Sequence, residues 1–88
     1  KIGARMPSGW LAYLHQGVCL YKKAEFNHSA QYPDFGCNLE VYTNGVFIEL
    51  ETLGELKTLK PGESTLHVEE WQMFSFSGSP EDLFQKMK

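Results

Sequence analysis

The sequence lacks three features that would each indicate a particular class of protein. No apolar run approaches the roughly 18 residues that a membrane-spanning helix requires. Basic side chains are not in excess, because eight Lys and Arg stand against eleven Asp and Glu, for a net charge of −3. Phosphate binding needs clustered basic side chains, so nucleic acid is not expected as a partner. The first six residues contain no signal-peptide apolar core, and we predict a cytoplasmic protein that does not bind membranes. The chain begins at Lys1 rather than Met, which fits either a trimmed N-terminus or a piece of a longer protein.

Cysteine is also scarce. Cys19 and Cys37 are the only two, and without a secretion signal such cysteines are more often reduced, so free thiols are predicted. No two cysteine or histidine residues lie at the short spacings of zinc sites, and we predict neither a metal nor a cofactor. The histidines are His15, His28 and His67.

The composition is that of a folded protein. Hydrophobic residues make up 42% of the chain and aromatic residues 14%, which excludes a disordered chain. A length of 88 residues allows one domain, spanning residues 1–88. Segments rich in aromatic and β-branched residues, bounded by Gly, Pro and Asn, predict strands. These strands are expected at residues 10–15, 18–23, 38–43, 46–51 and 64–77.

Turn residues divide these strands into hairpins. Gln16-Gly17 is expected to join the first two strands, and Asn44-Gly45 to join the next two through a two-residue turn. A Lys-Pro-Gly-Glu turn at 60–63 precedes the last strand. The alternation of apolar residues slips along that strand, which predicts either a bulge near Glu69-Glu70 or burial on both faces.

The C-terminal residues predict one short helix. Ser79 is a good N-cap, Pro80 suits the first helical position, and two acidic residues follow. The helix is expected over residues 80–87, docked on the sheet. The predicted fold class is therefore mainly β, an antiparallel sheet or partial β-sandwich with one short C-terminal helix.

Among the chemically active side chains, Glu40 is notable because its neighbours are core-forming residues, and a buried carboxylate needs partners. The aromatic residues offer either a surface for stacking on sugar rings or, as the preferred alternative, the core of a small β domain. No Gly-x-Ser-x-Gly nucleophile motif is present. The residues selected as candidate ligand contacts are Trp10, Tyr32, Tyr42, Trp71 and His67.

Four segments of the chain form a recognisable pattern: residues 32–43 (YPDFGCNLEVYT), 47–54 (FIELETLG), 59–64 (LKPGES) and 67–71 (HVEEW). Together they resemble the C-terminal part of an uncharacterised bacterial family related to galactose mutarotase-like, or aldose epimerase-like, sugar-binding domains. The resemblance covers about residues 3–76, which corresponds to the last third of a family member. It implies part of a β-supersandwich of antiparallel strands.

The resemblance also implies a site residue. In aldose epimerases a Leu-Glu segment supplies the glutamate base, and a Leu-x-Pro-Gly-Glu turn follows about nineteen residues later. Leu39-Glu40 and residues 59–63 reproduce that spacing, so Glu40 is the implied base, with Glu49 and Glu51 as rivals. The acid histidines of the epimerases lie outside the matched part. Because ring opening needs both proton transfers, catalysis by the chain alone is not expected.

A third of a sandwich would leave strand edges and apolar faces uncovered, so we expect a homodimer or higher homo-oligomer. The main hypothesis is a non-catalytic module that binds carbohydrate or assembles. One alternative is an epimerase site completed across an oligomer interface, with Glu40 as base and one of the three histidines as acid. The other alternative is a purely structural oligomer.

Overall fold

A computed structural model describes residues 1–88 as a mainly β protein with two antiparallel three-stranded sheets and one short C-terminal helix. Sheet I has the strand order β1-β4-β5, and sheet II has the order β2-β3-β6. The predicted fold class is therefore confirmed. Neither helical segment is long and apolar enough to cross a membrane.

Sheet II is built on the first predicted hairpin. Strands β2 (Trp10–His15) and β3 (Val18–Lys23) have the predicted bounds. Gln16 and Gly17 between them both have positive φ, 48° and 78°, which is the backbone of a type I′ turn and matches the twist of paired strands.

The third strand of sheet II is shorter than predicted. Strand β6 (Glu70–Ser75) pairs antiparallel with β3, whereas residues 64–69 form no strand. The prediction of a strand from residue 64 was wrong, because His67 and Glu69 direct their side chains to Thr52 of sheet I instead of joining the ladder. The strand begins at Glu70, so no bulge is needed there.

Sheet I contains the second hairpin, formed by β4 (Leu39–Thr43) and β5 (Ile48–Thr52). Thr43 lies opposite Ile48, so the connection has four residues, 44–47, and the predicted two-residue turn was wrong. The Asn44 Oδ1 atom accepts from the N–H groups of Val46 and Phe47, which holds the wider loop. Strand β1 (Ile2–Ala4) pairs with β4 and was not predicted, because three residues carry too little alternation to be recognised.

Two helical segments complete the fold. A single turn, α1 (Pro33–Gly36), precedes β4, with positive φ at Asp34 and Phe35. Helix α2 (Pro80–Met87) has the predicted bounds. The Ser79 hydroxyl accepts from the Asp82 N–H at 3.2 Å, and the Asp82 carboxylate accepts from the Ser79 N–H at 3.0 Å, which forms a capping box.

Helix α2 covers one face of sheet II. Leu83 packs there against Cys19 and Tyr21, surrounded by partly buried apolar side chains. Cys19 and Cys37 form no disulfide. Only nine of the 88 residues are buried, so this apolar core is small.

The two sheets are joined by polar side chains. Lys22 of β3 donates from Nζ to the Leu50 carbonyl of β5 at 2.8 Å. Thr52 of β5 hydrogen-bonds to both His67 and Glu69 in the segment that leads into β6. These links place the end of β3, the residues after β5 and the segment 65–70 side by side.

Candidate functional site

A groove of about 830 Å³ lies where these three segments meet. Two of the predicted ligand contacts, Tyr32 and His67, line it, and most of the other lining residues are polar. The groove is the default candidate for a small-molecule site.

One wall of the groove is aromatic. The rings of Phe26 and Tyr32 stack in parallel, with centroids 5.2 Å apart and planes 5° apart. The Arg5 guanidinium lies 4.9 Å from the centroid of Phe26, and the Asn27 N–H donates to the Tyr32 Oη atom at 3.0 Å. Tyr32 is buried, so the half-buried Phe26 offers most of the apolar surface. Phe26 was not identified from the sequence, because no pattern separates it from its loop neighbours.

Another wall carries polar groups that suit hydroxyl-rich ligands. The Asn27 Nδ2 atom donates to Glu55 Oε2 at 3.1 Å, and Lys57 Nζ lies 3.3 Å from Glu55 Oε1. The three side chains therefore place an amide, a carboxylate and an ammonium group beside the aromatic wall. Donors and acceptors therefore lie next to an apolar ring.

Behind His67, a hydrogen-bonded network centres on Glu69. Its carboxylate accepts from the Thr52 hydroxyl and, at 2.9 Å, from the Trp71 indole N–H, and Lys22 Nζ lies 3.9 Å away. Burial by itself would raise the pKa of Glu69, but these hydrogen bonds and the charges of Lys22 and His67 outweigh it and lower the pKa. Glu69 is therefore an ionised group that joins the two sheets, and it was not selected from the sequence.

Glu40, the base implied by the resemblance, lies outside the groove on β4. Its side chain is 2% exposed, and Lys1 Nζ lies 2.9 Å from its Oε1 atom. Hydrogen bonds from Lys1 and Asp34 lower the pKa of Glu40, and the bond shared with Glu40 raises the pKa of Asp34. A covered, ion-paired carboxylate of lowered pKa is a weak base without access to a substrate. The rival Glu51 lies opposite Glu40 on β5, 3.8 Å from the same ammonium group.

The remaining predicted contacts are dispersed. Trp10 packs against Tyr21 and Phe84 beneath helix α2, with centroid distances of 5.6 and 6.2 Å. Tyr42 lies 6.0 Å from Phe47 at the hairpin of sheet I. Trp71 is 61% exposed on β6. The structure thus brings only two of the five predicted ligand contacts into one groove.

The histidines and cysteines are equally separated. His15 stacks on Tyr13 of β2, and His28 contacts Phe26 edge-on, so His67 is the only histidine that lines the groove. No group of three His, Cys, Asp or Glu side chains is close enough to hold a metal ion.

These features define a small two-sheet β protein with a mixed polar and aromatic groove. No family model matches the sequence, and neither a curated protein nor a solved structure matches it significantly. The relation to mutarotase-like sugar-binding domains therefore stays a prediction from the residue pattern.

Proposed function

We propose that this chain is an assembly module, a β domain that associates with a second copy of itself. The observation that carries the proposal is the amount of surface the chain leaves uncovered. Its accessible area is 6523 Å², whereas a globular monomer of 10.0 kDa is expected to expose about 5,200 Å². Its radius of gyration is 14.7 Å, against about 12 Å for a compact domain of this length.

The excess has the size of an interface. It amounts to about 1,300 Å², and a stable protein–protein interface covers about 800 Å² on each partner. Thirteen large hydrophobic side chains are exposed, which is more than the nine residues of any kind that the chain buries. Association of two copies would cover part of this apolar area.

Part of the exposed apolar area is contiguous. Val18, Trp71 and Met73 are 42%, 61% and 72% exposed, and the strand register places all three on the face of sheet II opposite helix α2. We refer to these three residues as the open corner of sheet II. A second copy is the partner that the excess area favours, because a two-fold contact covers the same patch twice.

Light scattering of the 88-residue chain across a concentration series tests the proposal. We expect a mass of about 20 kDa that falls toward 10.0 kDa only on dilution. A mass of 10.0 kDa at every concentration, up to the millimolar range, would contradict assembly.

As a second function, we propose that the groove binds carbohydrate. The observation that favours this is the half-buried Phe26 ring beside the Asn27 amide and the Glu55 carboxylate. Titration with D-galactose, followed by backbone amide NMR shifts, should affect residues of the groove. Phe26→Ala should abolish these shifts, whereas Tyr42→Ala, outside the groove, should leave them unchanged. Absence of shifts at 50 mM sugar (roughly fifty times a millimolar Kd) would contradict the proposal.

The light-scattering and sugar experiments together also test the structural alternative. A dimer that binds no sugar would be a purely structural oligomer. An epimerase site with Glu40 as base stays a prediction, and the ion pair with Lys1 offers it no support. A cytoplasmic location fits the two free cysteines.

A further inference from the structure

Strand β6 presents a free edge on sheet II. In sheet II, β6 pairs with β3 on one side only and forms the edge of the sheet. The Phe76 N–H donates to the Gly17 carbonyl at 2.8 Å, so Gly17 and Phe76 are a hydrogen-bonded pair at the end of the β3–β6 ladder. Because hydrogen-bonded pairs alternate along an antiparallel ladder, the even-numbered residues of β6 bond to β3. The backbone groups of Trp71, Met73 and Ser75 therefore point outward.

No other group of the chain occupies these outward positions. None of the backbone hydrogen bonds outside the regular ladders, and none of the side-chain hydrogen bonds, uses the backbone of Trp71, Met73 or Ser75. The edge of β5 is different, because Lys22 donates to the outward carbonyl of Leu50. The opposite edge of sheet II, β2, has Trp10, Ala12 and Leu14 packed against the core beneath helix α2. The structure therefore protects the edge of β5 and leaves the edge of β6 free.

Strand β6 also lacks the devices by which monomeric proteins block an edge. It contains no proline and no lysine, and all of its residues except Phe74 are exposed. Its only charged residue, Glu70, lies at its first position. A six-residue edge of this kind is a template for another strand.

On the basis of the proposed assembly function, we infer that two copies associate by antiparallel pairing of β6 with β6 of the partner, with Met73 on the two-fold axis. This register opposes Trp71 to Ser75 of the other copy and Met73 to its own equivalent. The three opposed pairs exchange about six backbone hydrogen bonds, more than either neighbouring register of the same parity allows. The result is a continuous six-stranded sheet.

The side chains and charges fit this register. Glu70 lies opposite Phe76 of the other copy, so no two carboxylates face each other across the axis. On the open side of the sheet, Met73 already lies beside Leu20 of β3, and the two-fold axis places the second Met73 next to it. The open corners of the two copies become neighbours on one face, so that each Met73 side chain covers part of the apolar surface of the other.

Met73→Lys tests the pairing. It places two ammonium groups at the axis, and because like charges in an interface cost several kcal/mol, we expect the dimer dissociation constant to rise by about 100-fold. The matched control is Leu66→Lys, the same change at a side chain of similar exposure (84% against 72%) outside β6. This control should leave the dimer unchanged.

A second variant tests the register without disturbing the fold. In a Cys37→Ser background, Met73→Cys should form a covalent dimer on mild oxidation, since opposed residues of a hydrogen-bonded pair have Cα atoms about 5.5 Å apart, within disulfide range. Val68→Cys, also exposed, should not.

The outcomes separate this inference from the proposed function. A wild-type chain that is monomeric overturns both. A wild-type dimer that withstands Met73→Lys, or that fails to cross-link through Cys at position 73, overturns the β6 pairing and leaves assembly through another surface. Loss of the dimer in Met73→Lys together with cross-linking in Met73→Cys supports the inference.

Discussion

Sheet II and sheet I are attached to the rest of the molecule by different kinds of side chain. Sheet II buries Cys19 and Tyr21 under Leu83 of helix α2, an apolar contact. Sheet I buries Leu39 and the polar Glu40 of β4, next to the buried Asn38, and connects to sheet II through the Lys22 and Glu69 hydrogen bonds. The comparison shows that a chain with a small apolar core can place its main apolar cluster on one sheet and attach the other sheet largely by polar contacts.

The difference has an energetic consequence. Apolar burial contributes in proportion to the area covered, whereas a buried hydrogen bond contributes little net free energy but costs much when one partner is removed. Substitutions in the two sheets should therefore destabilise the protein by different mechanisms. Three variants, measured at one fixed protein concentration because association shifts apparent stability, separate these mechanisms.

Leu83→Ala should have the largest effect. Leu83 is 4% exposed, and removing its branched end leaves a cavity under α2, so the free energy of unfolding should fall by about 3 kcal/mol. Urea unfolding followed by circular dichroism measures it. Leu66→Ala, at a side chain that is 84% exposed, should change it by less than about 0.5 kcal/mol. If Leu83→Ala and Leu66→Ala lowered the free energy of unfolding equally, α2 would not cover the core of sheet II.

Asn38→Ala should have a smaller effect, by a polar mechanism. The Asn38 side chain accepts from the Met6 N–H at 2.6 Å and donates to the Met6 carbonyl at 2.8 Å. Its loss leaves the Met6 N–H without a partner, while the Met6 carbonyl keeps the bond from the Gly9 N–H, so the free energy of unfolding should fall by about 2 kcal/mol in the same urea experiment.

The control for Asn38 is Gln31→Ala, because the exposed Gln31 side chain makes no hydrogen bond and its loss should be nearly neutral. A loss for Asn38→Ala larger than that for Leu83→Ala would reverse the comparison of the two sheets.

Glu69→Gln should have the smallest effect, and one that depends on pH. The pKa of Glu69 is lower in the folded protein than its unfolded value of about 4.3. A lowered carboxyl pKa adds stability above the unfolded value and loses it as pH falls through the folded pKa. The wild type should therefore melt at a higher temperature than Glu69→Gln at pH 7.

That gap in melting temperature should narrow as the pH falls below about 4.3. Glu70→Gln, at the adjacent exposed carboxylate, removes the same charge without breaking the link to Thr52 and serves as the control. A gap between wild type and Glu69→Gln that stays constant from pH 7 to pH 3 would exclude a role for the ionised Glu69 in joining the sheets.

Local signals in the sequence were sufficient where an element depends on its own residues. The bounds of β2, β3 and α2 were predicted from Gly-bounded aromatic strands and from the Ser79-Pro80 cap, because turn backbone and capping involve neighbours in sequence. The longer loop at 44–47 was missed because it is held by the Asn44 side chain, which accepts hydrogen bonds from Val46 and Phe47, the two residues that follow the expected turn.

The candidate site could be predicted only in part. Tyr32 and His67 were selected and line the groove, whereas Phe26 and Glu69 were missed. The groove is formed by residues up to 47 positions apart, from Lys23 to Glu70, and no local pattern encodes which of them meet.

By itself, the sequence determined the class of fold, the first hairpin and the C-terminal helix, since alternation, turn chemistry and capping act over a few residues. Only the tertiary structure decided where the last strand begins, which face of sheet II the helix covers and which edge stays free. These depend on long-range contacts, such as Lys22 with Leu50 and Thr52 with Glu69. The contact of Lys22 protects the outer edge of β5, whereas β6 pairs only with β3 and keeps its outer edge free.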